Sequence, residues 1–169
     1  MRYKCCIFSI SFFLAFFSIL LPPIFTAEIV GARSELSFLS DVVRLGGLGP
    51  TLSSNETSYT VFAPVDAAFT ALGEELIGAV ADDLMLIQST VLYHAIPGEV
   101  LFAEDLACGR RYLMANGVES QYICRGENDS FMLGIGNTED AMPKIISSDI
   151  GACNGVVHLI DGVMLPVVA

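Results

Sequence analysis

Two histidines are the side chains of this 169-residue chain that could act as an acid or a base near neutral pH. His94 lies in Val91–Ile96 and His158 lies in Val156–Ile160, and both runs are mainly apolar. A histidine in such a setting is more often a hydrogen-bonded core residue than a catalytic base or a metal ligand. Burial would make each ring resist protonation, so we expect the stability of the fold to depend on pH.

The sequence lacks the common motifs of enzymes and metal sites. It contains no Gly-x-Ser-x-Gly nucleophile turn, no phosphate-binding loop and no His-Glu-x-x-His zinc motif. No acidic loop has the oxygen-ligand spacing of a calcium site, and the cysteines do not form a Cys-x-x-Cys pair. We therefore expect a protein that is not an enzyme and that needs no cofactor or metal.

The cysteines predict one disulfide but not its partners. Cys5 and Cys6 lie in the N-terminal apolar segment, while Cys108, Cys124 and Cys153 lie in the rest of the chain. In an oxidising compartment three cysteines favour one bond, and all three pairings stay open. A bond between Cys108 and Cys124 would close a short loop. The remaining cysteine would be either buried and inert or available for a disulfide-linked homodimer.

The N-terminal segment has the organisation of a secretory leader. Arg2 and Lys4 precede an uncharged, mainly apolar run over 5–21, and two prolines follow it. The run is close to the length that spans a bilayer, so an uncleaved signal anchor is the alternative. The early position and the prolines favour cleavage, and we expect a secreted protein that is found outside the cell or at its surface.

The site of leader cleavage is predicted from the small residues that leader peptidases prefer. A signal peptide over 1–27 would end at Ala27 and would place Phe25 where a small side chain is preferred. Cleavage after Ala32 would fit slightly better. About 140 residues would remain, which is enough for one domain with a hydrophobic core.

The chain is acidic and carries two N-glycosylation sequons. The formal net charge is −11, and it would become about −13 without the two basic residues of the leader. Such a surface repels phosphate backbones and anionic lipids, so nucleic acid is not an expected partner. The sequons begin at Asn55 and Asn128 in polar stretches, and we predict glycosylation at both.

Helical patterns dominate the first half of the chain. Ser34–Arg44 is predicted to be a helix that Ser34 caps. The β-rich segment Tyr59–Ala63 follows, and a second helix begins near Asp66, whose carboxylate is predicted to cap that same helix. Glu74–Gln88 also has helical spacing, and a break near Asp82-Asp83 would divide it into two shorter helices.

Short β-rich runs dominate the second half, where Gly, Asn and Pro separate them. Because helices come first and strands later, the predicted class is α+β rather than an alternation of parallel strands and helices. The predicted strands are Val91–Ile96, Glu119–Arg125, Ser130–Ile135, Lys144–Ile150, Val156–Ile160 and Val163–Val167.

Three sequence blocks occur in order along the chain. The first, Thr60–Phe69, is a predicted strand that turns through a proline into a helix. The second is Val91–Ile96, which Ala103–Leu106 follows. The third is Asn154–Pro166, where Asn154-Gly155 favours a tight turn because both residues tolerate positive φ. Together the three blocks resemble the fasciclin-type domain family over nearly all of the chain after the leader.

The resemblance implies one domain over 34–169, built as a wedge of two small β-sheets with several α-helices packed against it. The helical region before the first block is short, so we expect a trimmed N-terminal helix. The implied function is cell adhesion or organisation of the extracellular matrix. Its partner would be an extracellular protein, a polysaccharide or a cell-surface receptor, and the domain could also form a weak homodimer. The alternative function is an extracellular carrier of a small apolar ligand, held in a cleft between helices and sheet.

The resemblance also assigns roles to individual residues. Tyr93 and His94 match the tyrosine–histidine pair that is linked with adhesion in relatives, and on a strand at most one of them would point into the core. Asp149 and Ile150 match a pair that contacts integrins in some animal members, although the residues on either side differ. These four are the predicted binding residues, and His158 is predicted to belong to the core.

Overall fold

A computed structural model describes residues 25–73, 77–78, 82–126 and 129–166. Residues 1–24, which hold most of the predicted leader, lie outside the described part, and so does the sequon residue Asn128. Within the described residues no helix is both long enough and apolar enough to cross a membrane.

The helices come mostly from the first half of the chain. The α-helices are α1 (Thr26–Ala32), α2 (Ser37–Leu45), α3 (Gly49–Leu52), α4 (Asp66–Leu72) and α5 (Leu84–Leu92), and single 3₁₀ turns cover Ser34–Leu36 and Ala103–Asp105. The predicted helix Ser34–Arg44 is therefore a 3₁₀ turn followed by α2. Upstream of it lies the short helix α1, which has seven residues and packs against α2.

Asp66 caps α2 rather than its own helix. Its carboxylate accepts hydrogen bonds from Ser37 Oγ at 2.6 Å and from the Phe38 amide at 2.9 Å. Because Asp66 is the first residue inside α4 and Val65 is the N-cap, its side chain is not in the N-cap position of that helix. The prediction that Asp66 caps α4 is therefore wrong. Its side chain instead links the start of α4 to the start of α2.

The helix α5 begins where the acidic pair predicted a break. Asp83 is its N-cap, and its side chain accepts from the amides of Met85 and Leu86. The helix continues through Leu92, so the predicted strand Val91–Ile96 is wrong over its first residues. Ile87 and Val91 lie one helical turn apart and are both buried, which explains why core packing favours the helix here.

Seven strands form two sheets within the described residues. They are β1 (Tyr59–Pro64), β2 (Ala95–Pro97), β3 (Arg111–Leu113), β4 (Glu119–Arg125), β5 (Asp129–Leu133), β6 (Ile145–Ala152) and β7 (Gly155–Ile160). The larger sheet has the order β2-β1-β7-β6 and the smaller one β3-β4-β5. The strands β1 and β7 pair in parallel, and the other pairs are antiparallel. The sequence did not predict β3, and the predicted strand Val163–Val167 is irregular over its described residues 163–166.

The turn between β6 and β7 uses Cys153-Asn154 rather than Asn154-Gly155. Gly155 is the first residue of β7 and does not have a positive φ. A Cβ atom at Gly155 would overlap the carbonyl oxygen of Tyr59 on β1. Glycine is therefore required here by the close approach of two backbones and not by turn conformation.

Two apolar clusters form the core. One packs the helices on the larger sheet and contains Leu36, Leu39, Val61, Phe69 and Val157. The other lies between the two sheets and contains Phe62, Tyr93, Met114, Met132, Ile160 and Met164. Helices on one side and two small sheets in contact confirm the predicted α+β wedge.

Candidate functional site

Tyr93 connects the end of α5 to the smaller sheet. Its side chain is completely buried, and its hydroxyl donates to the carbonyl of Glu119 at 2.8 Å while accepting from the amide of Ile135 at 3.0 Å. Burial raises the pKa of Tyr93 because it disfavours the phenolate. By these two hydrogen bonds Tyr93 links the end of α5 to β4 and to the loop that follows β5.

His94 connects the same helix end to the C-terminal segment. Its Nδ1 lies 2.7 Å from the carbonyl of Thr90, and its Nε2 accepts from the amide of Met164 at 2.9 Å. This pattern assigns the hydrogen to Nδ1 and leaves the ring neutral. Burial lowers the pKa of His94 to about 4, because it disfavours the charged ring more than the hydrogen bond to the carbonyl of Thr90 favours it.

Both residues of the tyrosine–histidine pair lie in the core. The exposed fraction is 0% for Tyr93 and 3% for His94. The expectation that only one would point inwards is wrong, because the pair follows a helix end instead of lying on an alternating strand. In this conformation a partner could touch neither side chain, so any effect of the pair on binding would act through the fold.

His158 lies at the centre of β7 and is also completely buried. Its Nε2 lies 2.9 Å from the carbonyl of Leu101, and its Nδ1 accepts from the amide of Asp149 at 3.3 Å. The ring stacks on Phe62 with 5.4 Å between the ring centroids. Burial lowers the pKa of His158, although its hydrogen bond to Leu101 and the carboxylate of Asp149 oppose that shift.

Asp149 lies on the surface directly above His158. It is in β6, the edge strand of the larger sheet, at a place where the pairing with β7 is irregular. Its φ is 66°, which is uncommon for a residue other than glycine. The carboxylate accepts from the amide of Ala103 at 2.8 Å and is still 43% exposed. The strand therefore holds an acidic group at the surface in a fixed orientation.

Ile150 follows on the same strand and is half-buried. Its side chain packs against the cluster between the helices and the larger sheet. Asp149 and Ile150 therefore differ in role, since the first presents a charge to solvent and the second anchors the strand beside it.

A small cleft lies next to the edge strand, between the two sheets. Its volume is about 230 Å³. Pockets for drug-sized molecules usually have 300–1,000 Å³, so this cleft is small for such a ligand, and it is not the cleft between helices and sheet that a carrier was expected to use. Its lining includes Ser130, Ser147 and Ser148, with His158 below.

The geometry of the histidines is not that of a catalytic base. Both ring nitrogens of His94 and of His158 bond to backbone groups, whereas a general base needs a free nitrogen directed at a substrate. His158 Nδ1 is 3.9 Å from the nearer carboxylate oxygen of Asp149, but the other nitrogen bonds to a carbonyl and not to a serine. Among the described residues no group of three acidic, histidine or cysteine side chains could hold a metal ion.

One of the three open cysteine pairings is present. Cys108, in the turn before β3, bonds to Cys124 on β4. Cys153 is also disulfide-bonded, so the expectation of a single disulfide with one cysteine left over is wrong. The described part of the chain therefore offers no free thiol for a disulfide-linked dimer. The sequon residue Asn55 is exposed in the segment between α3 and β1.

Sequence reasoning missed the segment that supports Asp149. The carbonyl of Leu101 and the amide of Ala103 bind His158 and Asp149, respectively. Both are backbone groups, which a side-chain pattern does not reveal. The one sequence feature that pointed to this segment was that Ala103–Leu106 follows Val91–Ile96 in the second block.

Comparison with known proteins decides the family. The model of the fasciclin domain matches residues 34–166. This chain belongs to the fasciclin-domain family. The structure of a FAS1 domain pair from the insect cell adhesion molecule Fasciclin I is similar, with a TM-score of 0.67 over 84% of this chain and 51% of that chain. The identity is 13%, so this likeness concerns the fold alone.

Relatives of this fasciclin domain occur in bacteria and animals. Protein sll1483 of Synechocystis is 31% identical over 82% of this chain and 72% of its own length. Human stabilin-1 is 29% identical, and the transforming growth factor-beta-induced protein ig-h3 of the pig is 26% identical, each over 82% of this chain. The matches span only 5% of stabilin-1 and 19% of ig-h3, so those relatives are much longer proteins.

Proposed function

We propose that this fasciclin domain is a non-catalytic extracellular binding module that acts in cell adhesion or in the organisation of extracellular matrix. The observation that carries the proposal is the presentation of Asp149 at the edge strand. The carboxylate of Asp149 accepts from the amide of Ala103, and the backbone amide of Asp149 donates to His158, so the residue needs little ordering when a partner binds. Adhesion as the general role rests on membership of the fasciclin-domain family, one solved member of which is an insect cell adhesion molecule.

The proposed contact surface is Asp149, with Ile150 as its anchor. An exposed acidic group suits a partner that presents a basic side chain or a bound cation, such as a cell-surface receptor, another matrix protein or a polysaccharide with cationic groups. The strong negative net charge of −11 favours the same partners and disfavours nucleic acid. Tyr93 and His94 are both buried, so we expect them to affect binding only through the stability of the fold.

A surface-adhesion assay with matched variants tests the proposal. Wild-type protein, Asp149→Asn and Asp140→Asn are coated at equal density, and retained cells or matrix polymer are measured. Asparagine keeps an acceptor for the Ala103 amide and tolerates positive φ, so it removes the charge and little else. Asp140 is exposed in the segment between β5 and β6 and controls for net charge. We expect a several-fold loss for Asp149→Asn alone, and wild-type retention by that variant would contradict the proposed site.

A further inference from the structure

The helix α1 is part of the folded core and not an appendage. The exposed fractions of Thr26, Ile29 and Val30 are 1%, 7% and 2%. Ile29 and Val30 belong to the same apolar cluster as the buried faces of α2 and β1. The segment that sequence rules place at the end of the leader therefore contributes side chains to the interior of the domain.

Thr26 is held by a buried hydrogen-bond group. Its amide donates to Asn154 Oδ1 at 2.9 Å, and its hydroxyl donates to the carbonyl of Leu52 at 2.6 Å. The Nδ2 of Asn154 donates to Leu52 at 2.7 Å and to the carbonyl of Ser54 at 3.1 Å. Four hydrogen bonds thus join three distant parts of the chain, and removing one of the side chains leaves a buried polar group without its partner.

Cleavage at either position favoured by the sequence would break this arrangement. Leader removal is hydrolysis: water splits a peptide bond, the leader keeps the carboxylate, and the chain gains a new ammonium. A cut after Ala27 would remove Thr26 and leave Asn154 Oδ1 without its donor. A cut after Ala32 would also remove Ile29 and Val30 and expose the apolar surface that they cover.

Phe25 is the last residue that the fold can accept as a new N-terminus. A cut between Phe25 and Thr26 would turn the Thr26 amide into a charged group at a position that is 1% exposed, and burying an uncompensated charge is unfavourable. The amide of Phe25 instead donates to Glu28 Oε2 at 3.0 Å in an exposed setting. An ammonium at Phe25 would keep that carboxylate as its partner and remain in water.

We propose that the working form of this protein retains residues 25–32, and that any leader peptidase cuts the chain before Phe25. The sequence preference for small residues points to Ala27 or Ala32, whereas the packing of α1 assigns both positions to the domain itself. The inference does not depend on the proposed adhesion function.

The N-terminus of the secreted protein tests the proposal directly. The full chain is expressed in a secreting eukaryotic host, treated with a glycosidase and examined by N-terminal sequencing and intact mass. We expect a first residue at Phe25 or upstream, including an unprocessed chain. A folded, secreted product that begins at Thr26, Ala27, Glu28 or Arg33 would overturn the proposal.

A pair of threonine variants in the full chain tests the contribution of α1 to stability independently of how efficiently the leader is cleaved. Thr26→Val removes the hydroxyl that bonds to Leu52 and keeps the shape of the side chain. Thr51→Val makes the same change at an exposed position on α3. Thermal unfolding should show a fall in Tm of several degrees for Thr26→Val relative to Thr51→Val. If Thr26→Val fails to fold while Thr51→Val folds, this would also show that the domain needs the Thr26 hydroxyl. Equal Tm values for the two variants would show that α1 is not held as proposed.

Discussion

The amide of Asp149 donates to Nδ1 of His158 across 3.3 Å, so an exposed acidic residue and a buried imidazole belong to one hydrogen-bonded unit. The bond requires a ring nitrogen with a free electron pair, and protonation of His158 would remove it. The protonation state of a core residue is thereby linked to the geometry of the surface proposed to bind a partner.

Stability should fall as the solution is acidified from pH 6.5 towards pH 4. The pKa of His94 is lowered to about 4 and that of His158 is also lowered, whereas an unfolded histidine titrates near 6.5. The unfolded state therefore binds more protons in this window, which makes the contribution of each ring complete above pH 6.5 and lost on acidification. His94 alone should account for about 2–3 kcal/mol between pH 7.5 and pH 4.5.

Urea unfolding at pH 7.5, 6.5, 5.5 and 4.5 measures this loss. His94→Gln should be less stable at pH 7.5 and should show a shallower dependence on pH, because the buried titrating ring is gone. Equal urea midpoints for the wild type at pH 7.5 and pH 4.5 would show that neither histidine is buried in its neutral form.

Tyr93→Phe should destabilise the domain by about 1–3 kcal/mol, because the carbonyl of Glu119 and the amide of Ile135 lose their shared partner. Tyr122→Phe is the matched control: Tyr122 is also buried, and its hydroxyl bonds to no described residue. Chemical denaturation measures both variants, and a similar loss for the two would mean that the hydroxyl of Tyr93 has no special role.

Asp66→Ala should lower the free energy of unfolding by about 1–2 kcal/mol, because the start of α2 loses a charged acceptor. Asp41→Ala removes an acidic residue from α2 itself, where it forms an exposed ion pair with Arg44, and should change stability by less than about 1 kcal/mol. Thermal unfolding of both variants makes the comparison. The capping role fails if Asp66→Ala is as stable as Asp41→Ala.

Gly155→Ala should prevent folding or lower stability severely, since its Cβ would overlap the carbonyl oxygen of Tyr59 between two central strands. Gly49→Ala is the control, because a Cβ there meets nothing within 4 Å and φ is not positive. Circular dichroism and soluble yield report the result. A Gly155→Ala protein with wild-type Tm would mean that β1 and β7 are further apart than the structure shows.

The sequence predicted the fold better than it predicted the surroundings of the candidate site. The three blocks were sufficient to predict the fasciclin-type wedge, since each contains the apolar pattern of a core element. Tyr93 and His94 were misplaced because β-branched and aromatic residues near a helix end look like a strand until tertiary packing is known. The hydrogen bond from the Ala103 amide to the Asp149 carboxylate could not be predicted, because it comes from a backbone group 46 residues away, and long-range backbone contacts leave no local pattern.

The parallel pairing of β1 with β7 also constrains how the chain can fold during synthesis. Tyr59 and Gly155 lie opposite each other in the register although roughly a hundred residues separate them, and contacts this distant in sequence form slowly because a long loop must close first. The two central strands of the larger sheet cannot meet until nearly the whole chain has left the ribosome. The larger sheet of a nascent chain therefore stays incomplete for most of its synthesis.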